Sequence, residues 1–114
     1  MHEVSLALSL LEILKSYAVK DGFQHIRTVK LSMGKMSCVE PRALTFAFEI
    51  QATGTLAEGA VLEFDIRPAI LYCFSCACEY EVDAYTAECP TCKGMDVLLT
   101  GGTEELQLLE FEAE

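Results

Sequence analysis

Two Cys-x-x-Cys pairs, Cys73-Phe-Ser-Cys76 and Cys89-Pro-Thr-Cys92, stand twelve residues apart near the C-terminal end of the chain. In each pair the backbone turns tightly enough for both sulfurs to reach one ion. Two facing pairs supply the tetrahedral sulfur cage that Zn²⁺ prefers, with rubredoxin-type iron as the alternative metal. The spacer is shorter than in many four-cysteine sites, but Pro90 inside the second pair and Lys93-Gly94 after it are ordinary knuckle residues. A loop of this size buries too little to fold alone, whereas a structural zinc contributes on the order of 10–16 kcal/mol at neutral pH, coupled to folding. Four sulfurs also fill the coordination sphere, so the ion shapes the protein and does no catalysis.

That site sits in a chain of 114 residues, one domain or one small domain with a stapled insertion. Eighteen acidic residues against eight basic ones give a formal charge of −10, which repels nucleic acid and anionic membranes and suits cationic partners, metal ions included. The apolar N-terminus lacks a basic n-region and is broken by Glu3 and Glu12, so it does not read as a signal peptide. No stretch reaches the ~18–20 apolar residues of a membrane span. A cytoplasmic protein with reduced thiols is expected, its six cysteines being four ligands and two spares, Cys38 and Cys78.

Apolar residues recur at helical spacing from Val4 to about Lys20, leaving only a narrow polar stripe of Ser5, Ser9, Glu12 and Ser16. A helix so apolar calls for cover on two sides, from its own sheet and from a partner. Asp21-Gly22 ends it. Phe23 to Met33 alternates as a strand, Pro41 opens a second helix running through Gln51, and Val61 to Arg67 alternates again. Leu71, Tyr72, Phe74, Tyr80, Tyr85, Met95 and Val97 are candidates for an apolar layer around the knuckles. A last strand runs from about Glu105 to Glu112, and its alternation slips between Leu108 and Leu109, which predicts a bulge or burial on both faces. The expected fold class is α/β: a small three-stranded mixed sheet with two helices and a four-cysteine zinc-ribbon insertion. The strands flanking the metal loop are expected to pair as an interrupted hairpin, with a right-handed crossover joining the strand–helix–strand unit. The expected division is 1–67 with 103–114 as one domain and 68–102 as the ribbon.

His2 is the other candidate for chemistry. A histidine in second position prevents removal of the initiator methionine, so the Met1 amine, the His2 backbone nitrogen and the His2 imidazole can close fused chelate rings. Glu3 adds a backbone nitrogen or a carboxylate, completing the planar nitrogen-rich set that suits Ni(II) or Cu(II). The plainer reading of Met-His alone is a disordered terminus.

Met1-His2-Glu3 opening a helix, an α/β body of about 70 residues, and Cys-x-x-Cys-x₁₂-Cys-x-x-Cys before a final strand together resemble the HypA/HybF family of hydrogenase-maturation nickel metallochaperones. The resemblance spans the full length. It implies nickel bound by the Met1 amine, His2 and Glu3, and structural zinc on Cys73, Cys76, Cys89 and Cys92. It also implies delivery to the large subunit of a [NiFe]-hydrogenase, with the GTPase HypB as partner. Some family members carry histidines beside the cysteine pairs, and this chain has none there, which argues against pH sensing by its zinc site.

Other residues carry less. Cys78 forms a Cys-x-Cys with Cys76 and reads as a bystander, the alternative being exchange into the metal site, and Glu40 before Pro41 reads as a charge complementing the helix dipole, the alternative being an accessory nickel ligand. Met33, Met36 and Cys38 are soft donors close in sequence, but methionines at a strand end are usually core. His25 reads as an exposed imidazole. Gly34-Lys35 lacks the glycine-rich loop of a nucleotide site, and no carboxylate pair or Ser/His/Asp set points to an enzyme. Two other classes remain as alternatives: an iron electron carrier on the same sulfurs, and a zinc ribbon acting as an interaction module. Nucleic-acid binding by such a ribbon is disfavoured by Glu79, Glu81, Asp83 and Glu88 between the pairs, with no Lys or Arg among them.

Overall fold

The computed structural model describes residues 2–83 and 87–114. In chain order its elements are α1 (His2–Asp21), β1 (Ile26–Gly34), α2 (Pro41–Ala52), β2 (Val61–Arg67), β3 (Ala69–Cys73), β4 (Cys78–Val82), β5 (Val97–Gly101) and β6 (Gln107–Ala113). They group into two units. Met1–Ser32, Val39–Asp65 and Leu106–Glu114 form the first, and Met33–Cys38 with Ile66–Glu105 the second.

In the first unit α1 has Glu3 in its first turn and Lys20 in its last, each opposing the end of the helix dipole it faces. It stops where expected, with Gly22 at φ 79° and its N–H donated to the Ala18 carbonyl at 2.8 Å. One face is covered, through Ala7, Leu10, Leu11 and Leu14. Among the described residues a second side is left open, the side expected to meet a partner: Leu8 and Ile13 are about half exposed and Val19 almost fully so. The buried face packs on α2, whose Leu44, Ala47, Phe48 and Ala52 point inward. Pro41 occupies the first turn of α2 as its fixed φ allows, and the N-cap is Glu40, whose carboxylate accepts the Arg42 N–H at 2.9 Å.

The three-stranded sheet, the two helices and the four-cysteine ribbon are all present, but the strand order corrects one expectation. The order is β2-β1-β6, so the strands flanking the metal segment do not pair with each other. Burial explains why. β1 carries Ile26, Val29, Leu31 and Met33, all at 1% exposure or less, and belongs in the centre, whereas β2 and β6 are largely half-exposed and take the edges. β6 runs antiparallel to β1, and its register steps from Lys30↔Glu110 to Leu31↔Leu108. Leu109 is thereby left out of the ladder, which is the predicted bulge.

The second unit contains a sheet that the sequence did not announce, of order β4-β3-β5 with both pairs antiparallel. Ala69, Leu71 and Cys73 of its central strand are fully buried. The expected apolar layer is only partly real. Leu71 is in it, Phe74 and Met95 are more than half exposed, and Tyr85 lies outside the described residues. The Met33–Cys38 segment joins this unit through backbone bonds: the Lys35 N–H donates to the Arg67 carbonyl (2.8 Å) and the Met36 N–H to that of Gly102 (2.7 Å).

Gly102 has φ 87°, and a Cβ there would stand 2.6 Å from the Ala69 Cα and 2.7 Å from the Pro68 carbonyl oxygen. Both obstacles are backbone and cannot swing aside. Gly102→Ala should therefore destabilise the fold by roughly 2–4 kcal/mol, read as a lower urea midpoint at unchanged slope.

Candidate metal centre

Cys73 ends β3, and Cys76 follows in the turn that leads to β4. Cys89 and Cys92 form the second knuckle, before β5. The two knuckles are built alike. In each, the N–H of the residue after the second cysteine returns to the carbonyl of the first, Ala77 to Cys73 at 2.8 Å and Lys93 to Cys89 at 3.0 Å. Both of these residues take left-handed backbone, φ 57° and 62°. Neither is glycine, so each carries local strain that the loop tolerates in order to aim two sulfurs at one point.

The sulfurs converge. Cys73 Sγ lies 3.7 Å from Cys92 Sγ and Cys76 Sγ lies 3.9 Å from Cys89 Sγ, with all four within 4.8 Å of one another. Ligands ~2.3 Å from a tetrahedral centre are separated by roughly 3.8 Å, so the cage is the size of one sulfur-coordinated ion. Zinc and iron fit it equally well.

Backbone N–H groups support the sulfurs from behind. Those of Thr91 and Cys92 point at Cys89 Sγ, that of Cys76 at Cys73 Sγ and that of Gly94 at Cys92 Sγ, at 3.4–3.5 Å. Charge on the sulfurs is what these donors stabilise. The Cys92 N–H, opposed by burial and helped by the Thr91 N–H, lowers the Cys89 thiol to about 6. Cys76 behaves oppositely. The Tyr80 hydroxyl draws its thiol down, but the hydrogen-bonded Cys92 thiol, burial, and the thiols of Cys73 and Cys89 push it up to about 12. One thiolate thus forms readily, and a cation at the centre would relieve the crowding that raises Cys76 and Cys92.

Cys78 stands outside the cluster, exposed, with its Sγ donating to the Tyr80 hydroxyl at 3.1 Å. Cys38 is also exposed, while Met33 is core at 1% exposure. His25 is an exposed imidazole with Nδ1 3.9 Å from a Glu114 carboxylate oxygen.

At the other end of the chain, Met1 lies outside the described residues. His2 and Glu3 open α1, with His2 Nδ1 3.9 Å from Glu3 Oε2. Glu3 Oε2 also accepts the Glu40 N–H at 3.3 Å, which ties the start of α1 to the cap of α2. Sequence spacing gave no hint of that tie, because it joins residues 37 apart through the packing of two helices. Its own N–H, followed by that of Glu40, holds the Glu3 carboxyl below the usual carboxylate range. A carboxylate stabilised this way supports the fold above its unfolded pKa and stops doing so as pH falls through the folded value. Glu3→Gln should therefore melt slightly below the parent chain at neutral pH, and the two melting curves should converge on acidification below the ordinary carboxylate range.

Residues 1–113 match the family model described as "Hydrogenase/urease nickel incorporation, metallochaperone, hypA". The chain belongs to the HypA family. Similar full-length relatives include the hydrogenase maturation factor HypA of Syntrophus aciditrophicus, 45% identical over the whole of both chains, and the hydrogenase maturation factor HybF of Salmonella typhimurium, 40% identical over the whole of both. Among solved structures, the solution structure of a HypA protein superposes with a TM-score of 0.71 at 26% identity, covering 100% of this chain and 97% of that one. The solution structure of the Ni metallochaperone HypA from Helicobacter pylori shares the fold, with a TM-score of 0.64 at 24% identity over 97% of this chain and 96% of that one. The HypA family is a family of nickel-incorporation metallochaperones and not of enzymes. No helix among the described residues is long and apolar enough to cross a membrane.

Proposed function

We propose that this HypA-family chain carries Ni(II) on its first three residues and hands it to the large subunit of a [NiFe]-hydrogenase in the cytoplasm, working with the GTPase HypB. In the same proposal residues 1–67 and 103–114 make up the nickel-binding domain and residues 68–102 a ribbon held by structural zinc on Cys73, Cys76, Cys89 and Cys92. The observation that carries it is the position of His2 and Glu3 on the opening turn of α1 in a chain that matches a nickel-incorporation family from end to end. The first four N–H groups of a helix have no partner within it, so the backbone nitrogens of His2 and Glu3 can lose a proton to nickel without breaking a turn of α1. Amine, amide and imidazole nitrogens then surround the ion, a set that binds Ni(II) well and exchanges it at an exposed end.

The closed sulfur cage plays the other part, since it offers no open position from which an ion is easily passed on. Metal analysis tests this division of labour. The isolated protein should hold about one zinc per chain, keep it, and gain about one nickel. A chain made with one extra residue before Met1 loses the amine from its chelate position and should take up nickel far more weakly, with its zinc unchanged. Unchanged nickel binding by that variant overturns the terminal site. Iron in the cage would make the purified protein red, and a colourless preparation removes the electron-carrier reading.

A further inference from the structure

We infer that the outer face of the ribbon sheet is a docking surface for a basic segment of a partner protein with aliphatic side chains between its charges. Strand register defines the face. In β3 the side chains of Ala69, Leu71 and Cys73 turn inward and are buried, so Ile70 and Tyr72 turn outward. Cross-strand partners share a face. Tyr72 stands opposite Leu98 on one side and Glu79 on the other, and Ile70 stands opposite Glu81. Phe74 joins them, its ring edge-on to Tyr72 at 4.9 Å between centroids. Leu98 and Phe74 are 54% and 53% exposed, too much contiguous apolar surface to pass as scattered surface hydrophobics.

Charge selects the occupant. The strands Ala69–Cys73, Cys78–Val82 and Val97–Gly101 contain no Lys or Arg, while Glu79 and Glu81 line one border of the apolar strip. With a formal charge of −10 on the chain, nucleic acid, anionic lipid and a second copy are all repelled from this face. A segment in which pairs of lysine or arginine follow pairs of valine or leucine carries both kinds of side chain on each of its faces and so meets both halves of it, apolar side chains on Tyr72, Phe74 and Leu98 and cations against Glu79 and Glu81. A cation over the Tyr72 or Phe74 ring adds to the match. This inference is independent of the nickel reading, because it involves none of the residues at the terminus.

The test uses the full, zinc-loaded, ¹⁵N-labelled chain and two synthetic octapeptides, one repeating Val-Val-Lys-Lys and the other Val-Val-Glu-Glu, so that each face of either peptide carries both residue types. The Lys–Val peptide should shift amides of β3, β4 and β5, more weakly at high salt, and the Glu–Val peptide should not bind. Reversing both charges with Glu79→Lys and Glu81→Lys should weaken binding about tenfold, and Glu81→Gln alone roughly two- to threefold, the scale of exposed ion pairs. Tyr72→Ser should weaken it about tenfold as well. Zinc content and amide dispersion report whether each variant is folded, and Glu81→Gln, which changes one exposed side chain, decides the matter if the others are not. The inference is overturned if the Lys–Val peptide fails to bind, if its shifts map to the exposed apolar residues of α1 such as Leu8 and Ile13, if the Glu–Val peptide binds as well, or if the chain dimerises through this face.

Discussion

Cys73→Ser should cost the ribbon much of its metal affinity and disorder it. Removing one of four thiolates takes away about a quarter of the 10–16 kcal/mol that sulfur coordination contributes, which lowers zinc affinity on the order of 10²–10³-fold. The loss is compounded by position. Cys73 is fully buried on the central strand, paired with Cys78 on β4 and Val97 on β5, so the serine hydroxyl stands where no water reaches it. Metal analysis should find less than the parental zinc, and the amide signals of β3, β4 and β5 should collapse toward random-coil shifts. Cys78→Ser is the informative contrast. Its sulfur lies outside the cluster and it should retain full zinc. Acid acts in the same direction as Cys73→Ser. Where the folded ribbon holds the Cys89 thiol down to about 6, that thiolate supports the ion-free fold fully above the ordinary thiol value and ceases to as pH falls through about 6. Protons compete with the metal over the same range.

His2→Ala should abolish the nickel site and leave the zinc site untouched. In the proposed terminal site the imidazole closes one of the fused chelate rings, so losing it would remove a ring as well as a donor. Outer-shell partners alone are commonly worth 10–100-fold in metal affinity, so loss of a direct ligand should weaken nickel binding by about 100-fold or more. Isothermal titration at neutral pH reads this, with the parent chain taking up about one nickel per chain. Lowering the pH should weaken the parent's binding, because amine, imidazole and amide nitrogens all bind only when free of their protons. Nickel affinity unchanged by the substitution would place the site elsewhere in the chain. The stability of the fold should barely move, since His2 is exposed at the outer end of α1.

How much of this was legible beforehand depended on the range of the interaction concerned. The sulfur cage could be read from the spacing of four residues because a Cys-x-x-Cys turn is local, and the convergence of Cys73, Cys76, Cys89 and Cys92 bears that out. The bulge at Leu109 was visible as a slip in alternation, since period-two patterning is set by one strand alone. The end of α1 was visible for the same reason, a single glycine with positive φ closing a local hydrogen bond.

What residue order could not specify was pairing. The chain contains two half-exposed strands on either side of the metal segment, and nothing local says whether they join each other or flank a third. Tertiary structure placed β1 between them because, of these three strands, β1 has the burial of a central one. The tie from Glu3 to the Glu40 N–H, the attachment of Met33–Cys38 to the second unit and the β4-β3-β5 sheet likewise depend on contacts between segments distant in sequence. The sequence by itself determined the two cysteine knuckles, both helices and the strands β1, β2 and β6, because each is fixed by residues within a turn or two of one another, and its composition set the acidic character of the chain. Which strands became neighbours, and so which side chains were left facing solvent on the ribbon, was decided only when burial of the whole core chose among pairings that are locally equivalent.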